Sequence, residues 1–278
     1  MALESRFTDI EGHRVHYLEG GTGFPVLMLH GVGPGTSIIG NFGPVLEPLA
    51  ERFHIIAADL IGFGDSERKK TEPSFDVELW VRQGLALLDL LPDILPGGPC
   101  GIAGHSLGGA LALKIAARTE RVTRVLASSA IGTQYKINDA LDGFWSPPAD
   151  RGGLRAAMAR MAFDPSAITD EMIEQRWTLL QGDGYGEYFA SMFAPPRQQY
   201  IDAAVLSDEE IATVSAGGAK ITLIHGRDDQ PCPTEETAMT LARDFPTADL
   251  HLLANCGHNL PRERSADYIS AATRLFTG

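Results

Sequence analysis

A serine flanked by glycines lies where nucleophilic chemistry is expected. The segment GHSLG at residues 104–108 has the spacing G-x-S-x-G, and it joins an apolar run at residues 101–103 to an Ala- and Leu-rich stretch. A serine at the centre of this motif sits on a strained strand-to-helix turn that exposes its hydroxyl. A chance match on an ordinary glycine-rich turn is the alternative, and the flanking pattern disfavours it. The motif therefore predicts Ser106 as the nucleophile of an acyl-transfer reaction.

A serine nucleophile needs a general base, and the chain offers eight histidines. We predict His258 as the base, because it follows the last predicted strand and completes the chain order Ser, Asp, His. His105 adjoins the serine but would point away from it. His30 and His225 lie beside glycines at strand ends, where turn or supporting roles are expected. Structural or surface roles are expected for the other four, His13, His16, His54 and His251.

The acid that orients the base should follow a strand and precede His258. Two adjacent aspartates, Asp228 and Asp229, meet this condition in the segment GRDDQP at residues 226–231. Spacing alone does not separate them, because either one could instead serve as a turn or capping residue. The acid would fix the tautomer of His258 and stabilise its imidazolium.

The developing oxyanion requires hydrogen-bond donors that are already in position. The backbone N–H of Leu107, the residue after the serine, is the first expected donor. The second should come from the loop HGVGPG at residues 30–35, where we choose the Val32 amide. This loop lacks the Lys-Ser/Thr ending of a phosphate-binding loop and the spacing of a dinucleotide fingerprint, so neither ligand is expected.

The composition excludes several classes of partner. The 278 residues carry a formal net charge of −13, which repels nucleic-acid phosphates and anionic membranes. The amino terminus is too polar for a secretory signal, and no apolar run is long enough to span a membrane.

We expect a cytoplasmic protein with reduced thiols that acts on a small molecule without a metal or cofactor. Three cysteines fit neither a metal site nor a disulfide framework, Cys100, Cys232 and Cys256.

Short β-branched runs alternate with longer helical stretches, a pattern typical of βαβ units and a parallel sheet. An early strand is predicted at residues 14–18, and buried strands at residues 26–29, 55–58, 101–103, 125–127, 221–224 and 250–253. Helices are predicted at residues 76–91, 107–117, 234–244 and 263–276. In the first of these helices, apolar side chains recur at spacings of three and four and should face the sheet, Val77, Trp80, Val81, Leu85 and Leu88.

One long segment interrupts this alternation. Residues 132–218 contain several helical pieces divided by proline and glycine clusters, and the segment is too long for a connecting loop. We interpret it as a helical cap over the carboxyl end of the sheet, where ligands of open parallel sheets bind. The core would then comprise residues 1–131 and 219–278. A separate helical domain without a role in the site is the alternative.

Together these motifs resemble the α/β-hydrolase superfamily over nearly the whole chain, and within it the meta-cleavage product hydrolases, which cut carbon–carbon bonds in aromatic degradation. The resemblance is carried by the loop at residues 30–35 with Asn41 downstream, and by the turn DLIGFGDS at residues 59–66. It extends to GRDD at residues 226–229 and CGH at residues 256–258. The resemblance implies an α/β-hydrolase fold with an inserted helical cap, and it implies Asp229 as the acid.

Within the predicted cap, the segment ITDE at residues 168–171, leading to Arg176, resembles a cap helix of that family. Residues 189–193 (FASMF) and 196–198 (PRQ) resemble members acting on muconic semialdehyde-type substrates, such as 2-hydroxymuconic semialdehyde hydrolase. The resemblance implies that Arg176 holds the substrate carboxylate and that Asn41 helps to position the substrate. A surface arginine on an amphipathic helix is the alternative for Arg176.

Two positions depart from the family pattern. The family usually has Asn before the nucleophile and Trp after the catalytic histidine, where this chain has His105 and Asn259. Both residues are expected to neighbour the substrate, so these two departures bear on which substrate the enzyme accepts.

The sequence thus predicts a serine hydrolase that cleaves a vinylogous 1,5-diketone with a carboxylated dienol end. The resemblance also implies a homodimer or a larger assembly. A carboxylesterase or enol-lactonase with the same triad is the first alternative. A ligand receptor built on a hydrolase scaffold is the second.

Overall fold

The strands lie side by side in one sheet, described by a computed structural model that covers residues 3–91 and 97–278. Within these residues the sheet has eight strands in the order β1-β2-β4-β3-β5-β6-β7-β8. The β1–β2 and β2–β4 pairs are antiparallel, and the remaining pairs are parallel. The strands are β1 Glu4–Ile10, β2 His13–Gly20, β3 Pro25–Leu29, β4 His54–Ala58, β5 Cys100–His105, β6 Val122–Ser128, β7 Lys220–Gly226 and β8 Asp249–Leu253.

The predicted strands all appear in this sheet, but two features of its edges were not foreseen. The sequence did not predict β1, because most of its residues are exposed and it lacks an apolar run. The prediction that residues 250–253 form a buried strand was wrong: no residue of β8 is fully buried, and Leu252 is 39% exposed. The reason is its position, since β8 lies at one edge of the sheet and pairs only with β7.

Helices cover both faces of the sheet. In the core they are α1 Ile38–Ala50, α2 Val77–Leu88, α3 Leu107–Ala116, α10 Ala238–Asp244, α11 Leu260–Glu263 and α12 Ser265–Thr277. Alternate residues of one strand face opposite layers. In β3, Leu27 and Leu29 join the apolar cluster with α2 and α3, whereas Val26 and Met28 join the cluster with α1 and α12. This two-sided burial explains why the central parallel strands are apolar throughout.

The predicted core helices are present, with small differences in their ends. Asp76 caps α2, where its carboxylate accepts the Leu79 N–H at 2.9 Å. The predicted helix at residues 234–244 begins only at Ala238, and the one at residues 263–276 is preceded by the short helix α11. The sequence did not predict α1, which contains Pro44 and Pro48. This helix forms because Ser37 caps it and because its apolar side chains recur at helical spacing.

The segment between β6 and β7 is helical, as expected. Its helices are α4 Asp139–Trp145, α5 Arg151–Ala159, α6 Asp170–Gln181, α7 Tyr185–Met192, α8 Gln198–Ala204 and α9 Asp208–Gly217. Their buried side chains belong to the same apolar cluster as α2 and α3. Near its end the insertion is tied to α3 by Lys114, whose Nζ lies 2.9 Å from Glu210 and 2.8 Å from the Val205 carbonyl. The division into a core and a cap at residues 132 and 218 stays a prediction.

The carboxyl ends of the parallel strands meet at one edge of the sheet, and this edge positions the site. The loop at residues 30–35 follows β3, Ser106 follows β5, and the loops with Asp229 and His258 follow β7 and β8. This is the place where open parallel sheets bind ligands. Among the described residues, no helix combines the length and apolar character needed to cross a membrane.

Candidate active site

Ser106 lies on a sharp turn between β5 and α3. Its backbone has φ 55° and ψ −119°, a left-handed conformation that a non-glycine residue adopts at a cost of about 1–3 kcal/mol. The turn is possible because its neighbours are glycines: a Cβ on Gly104 would overlap the Gly108 carbonyl, and one on Gly108 would overlap the Leu29 carbonyl. The Ser106 N–H donates to the Ser128 carbonyl at 2.9 Å. The strained turn is thus the one that the motif predicts.

The second aspartate of the GRDD segment pairs with His258. Asp229 Oδ2 lies 2.8 Å from His258 Nδ1, and both side chains are buried. Asp228 is turned elsewhere, and its Oδ2 accepts the Cys256 N–H at 3.2 Å. The spacing left both residues open, and the geometry favours Asp229. When Nδ1 donates to the carboxylate, Nε2 is left free to accept a proton from Ser106.

Asp229 is held as an anion by its partners. Burial alone raises the pKa of this carboxyl, but the attraction of His258 and the hydrogen bonds from His225 and His258 outweigh it and keep the pKa below its usual range. Its other oxygen, Oδ1, accepts the Cys232 N–H at 2.8 Å. His225 Nε2 lies 3.3 Å from Oδ2, so it has the supporting position expected from the sequence. The carboxylate can therefore stabilise an imidazolium at His258 without becoming protonated itself.

Two residues that sequence reasoning missed hold the loop that carries His258. The Met161 carbonyl, in the insertion, accepts the His258 N–H at 2.7 Å. The Glu263 carboxylate accepts the N–H groups of Gly257 and Asn259, each at 3.1 Å, and that of Phe163 at 2.8 Å. Glu263 follows His258 by five residues, but nothing in that spacing indicates which amides it accepts. Met161 acts through its backbone, so its side-chain type carries no signal.

The predicted oxyanion loop packs directly against the serine. A Cβ on Gly31 would lie 2.7 Å from Ser106 Cβ and 3.3 Å from its Oγ, so only glycine allows this approach. Asn41 Oδ1 accepts the Gly31 N–H at 2.8 Å, and His30 Nε2 accepts the Leu60 N–H at 2.9 Å. The structure thus uses the Asn41 oxygen to hold the loop beside Ser106, a role that the sequence did not indicate. Val32 lines the cavity at the serine, while Leu107 is fully buried at the start of α3.

A narrow cavity joins most of the predicted site residues. Its lining includes Ser106, His258, Val32, Asn41, His105, Arg176 and Asn259. Asp229 lies behind His258 and does not line this cavity. The cavity has only about 10 Å³, roughly the space of one water molecule. Phe144 and Met161 of the insertion line it as well and keep it small.

Arg176 on α6 brings a positive charge to this cavity. The residue is 8% exposed, and its Nη1 donates to the Pro34 carbonyl and to Thr36 Oγ1, each at 3.0 Å. Burial and the nearby Arg262 lower the pKa of Arg176 to about 10, so it stays cationic at neutral pH. The insertion therefore places a fixed cation beside the candidate nucleophile, in a protein whose net charge is strongly negative.

His105 packs beneath the base. Its ring centroid lies 5.0 Å from that of His258 and 6.2 Å from that of Phe42, and its Nδ1 lies 3.3 Å from Ser128 Oγ. Burial and the neighbouring His258 lower the pKa of His105 well below its usual value, so this imidazole is neutral. Asn259 lines both the site cavity and a second cavity nearer the surface.

Two groups of potential metal ligands occur among the described residues, with donor atoms within 4.8 Å of one another. They are Asp229, Cys232 and His258, and His16, Asp59 and Asp65. The Asp229 and Asp59 carboxylates already accept hydrogen bonds from histidine and backbone N–H groups. Burial also raises the pKa of the Cys232 thiol well above its usual value, which disfavours the thiolate that a metal requires. The hydrogen bonds account for both arrangements, and the expectation that no metal takes part stays a prediction.

The chain is similar in sequence to known hydrolases. The family described as "Alpha/beta hydrolase family" matches residues 26–272. A 2-hydroxymuconate semialdehyde hydrolase of Pseudomonas sp. (strain CF600) is 34% identical over 93% of this chain and 89% of that protein. A 2-hydroxy-6-oxo-2,4-heptadienoate hydrolase of Pseudomonas putida is 34% identical over 90% of this chain and 87% of that protein.

The likeness extends to solved structures. A variant of the meta-cleavage product hydrolase CumD from Pseudomonas fluorescens IP01 superimposes with a TM-score of 0.87. The two are 30% identical, and the match covers 96% of this chain and 95% of that one.

Proposed function

Because the chain belongs to the alpha/beta hydrolase family and, within it, to the meta-cleavage product hydrolases, we propose that it hydrolyses a carbon–carbon bond of a ring-fission product. The substrate is a 2-hydroxy-6-oxo-dienoate, a vinylogous 1,5-diketone, and the products are a 2-hydroxydienoate and a carboxylic acid. One observation carries this proposal: the buried cation of Arg176 lines the same cavity as Ser106 and His258. A carboxylate held by this guanidinium places the rest of the dienoate at the nucleophile.

The first step is a proton movement. His258 helps to transfer a proton within the dienol, which becomes a ketone and makes the bond next to the remote carbonyl breakable. Asp229, 2.8 Å from Nδ1, stabilises the imidazolium form that His258 passes through.

The second step is acyl transfer. Ser106 attacks the remote carbonyl as His258 accepts its proton, and the N–H groups of Val32 and Leu107 bind the resulting oxyanion. Collapse of this intermediate breaks the carbon–carbon bond and leaves the acyl group on Ser106. The electron pair of that bond passes into the departing dienolate, which takes the proton from the His258 imidazolium and leaves as the 2-hydroxydienoate. Water, deprotonated by His258, then releases the acid and restores the serine.

Loss of the visible absorbance of a yellow ring-fission product tests the proposal directly. Wild-type protein is mixed with a panel of 2-hydroxy-6-oxo-dienoates, and the products are identified as a 2-hydroxydienoate and an acid. We expect steady bleaching by the wild type, and a loss of about 10⁴–10⁶-fold in the Ser106→Ala variant. Absence of bleaching across the panel, together with fast cleavage of p-nitrophenyl esters, would overturn the carbon–carbon assignment.

A second candidate is a carboxylesterase or enol-lactonase that uses the same three residues on a carbon–oxygen bond. The observation that favours it is the pair of departures from the family pattern, His105 and Asn259, both of which line the site cavity. The same assay separates the two functions, because the ratio of diketone to ester turnover is high for one and low for the other.

The substrate carries a carboxylate, as Arg176 requires. A cytoplasmic location is in keeping with three buried free cysteines, Cys100, Cys232 and Cys256. Assembly into a homodimer or larger oligomer is carried over from the family resemblance, and the molar mass in solution by light scattering tests it.

A further inference from the structure

A second cavity opens next to the site cavity, on the side of Arg176. It has a volume of about 240 Å³ and lies between α6 of the insertion and the first turns of α1. Arg176 lines both cavities, and Arg262 of α11 lines the second one. We call this second space the arginine cavity. It is many times larger than the space of about 10 Å³ at Ser106.

Arg262 is held by backbone carbonyls. Its Nη1 donates to the carbonyls of Ile39 and Gly40, at 3.4 and 3.3 Å. Among residues 3–91 and 97–278, no carboxylate lies within ion-pair distance of it. The guanidinium of Arg262 is partly buried, which lowers its pKa, and no carboxylate in the described residues offsets the loss of hydration. A partly buried cation without a counter-charge is unfavourable, and a bound anion would relieve this cost.

The two guanidinium groups flank one residue, Gly40. A Cβ at this position would lie 4.0 Å from Arg176 Nη2, while the Gly40 carbonyl accepts from Arg262 at 3.3 Å. A side chain at residue 40 would therefore point towards Arg176, with Ser37 Oγ as its nearest neighbour at 3.3 Å. Arg176 uses Nη1 for its two hydrogen bonds to the loop before α1, and its other guanidinium nitrogens bond no acceptor in the described part of the chain.

A third cavity, of about 400 Å³, shares Arg262 and Asn259 with its neighbours but differs in charge. Its lining includes Glu171 and Glu263, whereas the lining of the arginine cavity contains no carboxylate. An anion that approaches this acidic protein therefore meets two glutamates beside Arg262 at one cavity, and two arginines without a lining carboxylate at the other.

We infer that the arginine cavity is a carboxylate-binding entrance to the active site, in which Arg262 captures the anionic end of the substrate and Arg176 receives it beside Ser106. This inference rests on the proposed hydrolase activity at Ser106, and it adds a specificity-determining residue, Arg262. The substrate class it selects is a monocarboxylate or dicarboxylate, and neutral compounds of the same size gain nothing from it. Apolar lining by Met172 and Leu179 gives room for the hydrocarbon chain behind the carboxylate.

A pair of esters tests the entrance without relying on carbon–carbon cleavage. The probes are p-nitrophenyl butyrate, which is neutral, and the p-nitrophenyl monoester of glutaric acid, which carries one carboxylate. In Arg262→Gln we expect kcat/KM for the anionic ester to fall about tenfold at low salt, with kcat within about twofold. The neutral ester should be unaffected, and the dependence on ionic strength should become flatter. Arg262→Lys should keep most of the wild-type value.

Arg243→Gln is the charge-matched control. Arg243 is an exposed residue of α10 that lines none of the three cavities, and its substitution changes the net charge by the same amount. We expect it to leave both esters unchanged. Equal losses for the two esters in Arg262→Gln, or equal losses in Arg262→Gln and Arg243→Gln, would overturn the inference.

A second pair of variants does not require the removal of an arginine. Gly40→Asp adds a carboxylate on the side of Arg176 in the arginine cavity, and Gly40→Asn adds a group of the same size without charge. We expect Gly40→Asp to slow only the anionic ester relative to Gly40→Asn. Identical behaviour of the two variants would contradict a charge-based entrance.

Failure of this inference can be told apart from failure of the proposed function. If the anionic ester depends on Arg262 but no ring-fission product is bleached, the entrance stands and the carbon–carbon assignment falls. If bleaching occurs and Arg262→Gln hydrolyses both esters as fast as the wild type, the carbon–carbon assignment stands and the entrance is overturned.

Discussion

The backbone N–H of His258 donates to the carbonyl of Met161 at 2.7 Å, which joins the candidate base directly to the helical insertion. Gly257 packs against the same stretch of backbone so closely that a Cβ there would lie 2.6 Å from the Phe163 nitrogen. The insertion therefore does more than cover the carboxyl edge of the sheet. It helps to set the position of the His258 imidazole. Substitutions in the insertion can therefore alter catalysis by shifting the loop that carries His258.

The two adjacent aspartates should differ sharply in their effect on turnover. Asp229→Asn removes the negative charge 2.8 Å from His258 Nδ1 and favours the wrong tautomer, so we expect kcat to fall about 10³–10⁴-fold. Asp228→Asn disturbs only the hydrogen bond to the Cys256 N–H, so a loss below about tenfold is expected. Steady-state turnover of the two variants measures the difference. Comparable losses in both would mean that the pairing seen here does not direct catalysis.

Glu263 should act as a positioning residue for the base loop. Glu263→Gln puts an amide NH₂ where a carboxylate oxygen now accepts N–H groups from Phe163, Gly257 or Asn259. We expect a loss of about 1–3 kcal/mol in the free energy of unfolding. We also expect a fall in kcat with little change in KM, because the imidazole loses its support. Chemical denaturation and kinetics on one preparation test both.

Glu171→Gln is a suitable control for this prediction, since Glu171 is an exposed residue of α6 near the same surface. It should leave kcat and stability within experimental error of the wild type. A Glu263→Gln protein with normal kcat and normal stability would show that the loop needs no such support.

The sequence predicted the parts of the site that depend on local pattern. The strained turn at Ser106 was predictable because glycines must flank it, and His258 because the chain order of the motif is fixed. The choice of Asp229 over Asp228 came from a family resemblance, since adjacent side chains point to different partners only once the loop is folded. Glu263 could not be found, because its partners are backbone N–H groups, which no residue type encodes, and one of them, that of Phe163, lies in the distant insertion.

The same limit applies to the elements of the fold. Helix α1 was missed because Pro44 and Pro48 outweigh its apolar spacing when only local signals are considered. Burial against the sheet overrides those signals in the folded protein. Strand β8 has the apolar composition of a buried strand, yet its place at the edge of the sheet, a property of the topology, exposes Leu252. Arg262 was not predicted for a related reason, since only the fold brings it to Gly40.

Stability should fall as the pH drops below about 6.5, because two buried histidines are held neutral. Burial lowers the pKa of His105 and of His30 in the folded protein, and the nearby His258 lowers that of His105 further. Since these folded-state values lie below the unfolded value of about 6.5, protonation favours the unfolded chain. Above pH 6.5 both histidines are neutral in the folded and the unfolded chain, and they do not reduce the free energy of unfolding. As the pH falls below 6.5, each histidine lowers the free energy of unfolding by up to about 1.4 kcal/mol per pH unit.

The variant His105→Asn should reduce this dependence. An amide keeps a polar partner near Ser128 Oγ but cannot titrate, so the slope of unfolding free energy between pH 7.5 and 5 should be shallower than in the wild type. Urea denaturation at several pH values gives the slope. Parallel curves for the two proteins would mean that His105 is already protonated in the folded state or that another group dominates.

The small size of the site cavity predicts that Phe144 controls which substrate tails are accepted. Its ring lies so close to Gly33 that a Cβ on that glycine would overlap it, and it is 5% exposed. The site cavity of about 10 Å³ is too small for a bulky substrate tail, and Phe144 and Met161 are two of the large side chains that line it. Phe144→Ala removes this obstacle at a cost of about 3–5 kcal/mol in stability.

We therefore expect Phe144→Ala to raise kcat/KM for a substrate with a bulky 6-phenyl tail relative to one with a 6-methyl tail. Phe189→Ala provides the matched control, because Phe189 is a fully buried phenylalanine of the same insertion that does not line the site cavity. It should lose similar stability without changing the ratio. If both variants leave the phenyl-to-methyl ratio as in the wild type, the tail occupies space that Phe144 does not restrict. A change of equal size in both would assign the effect to a loosened insertion instead.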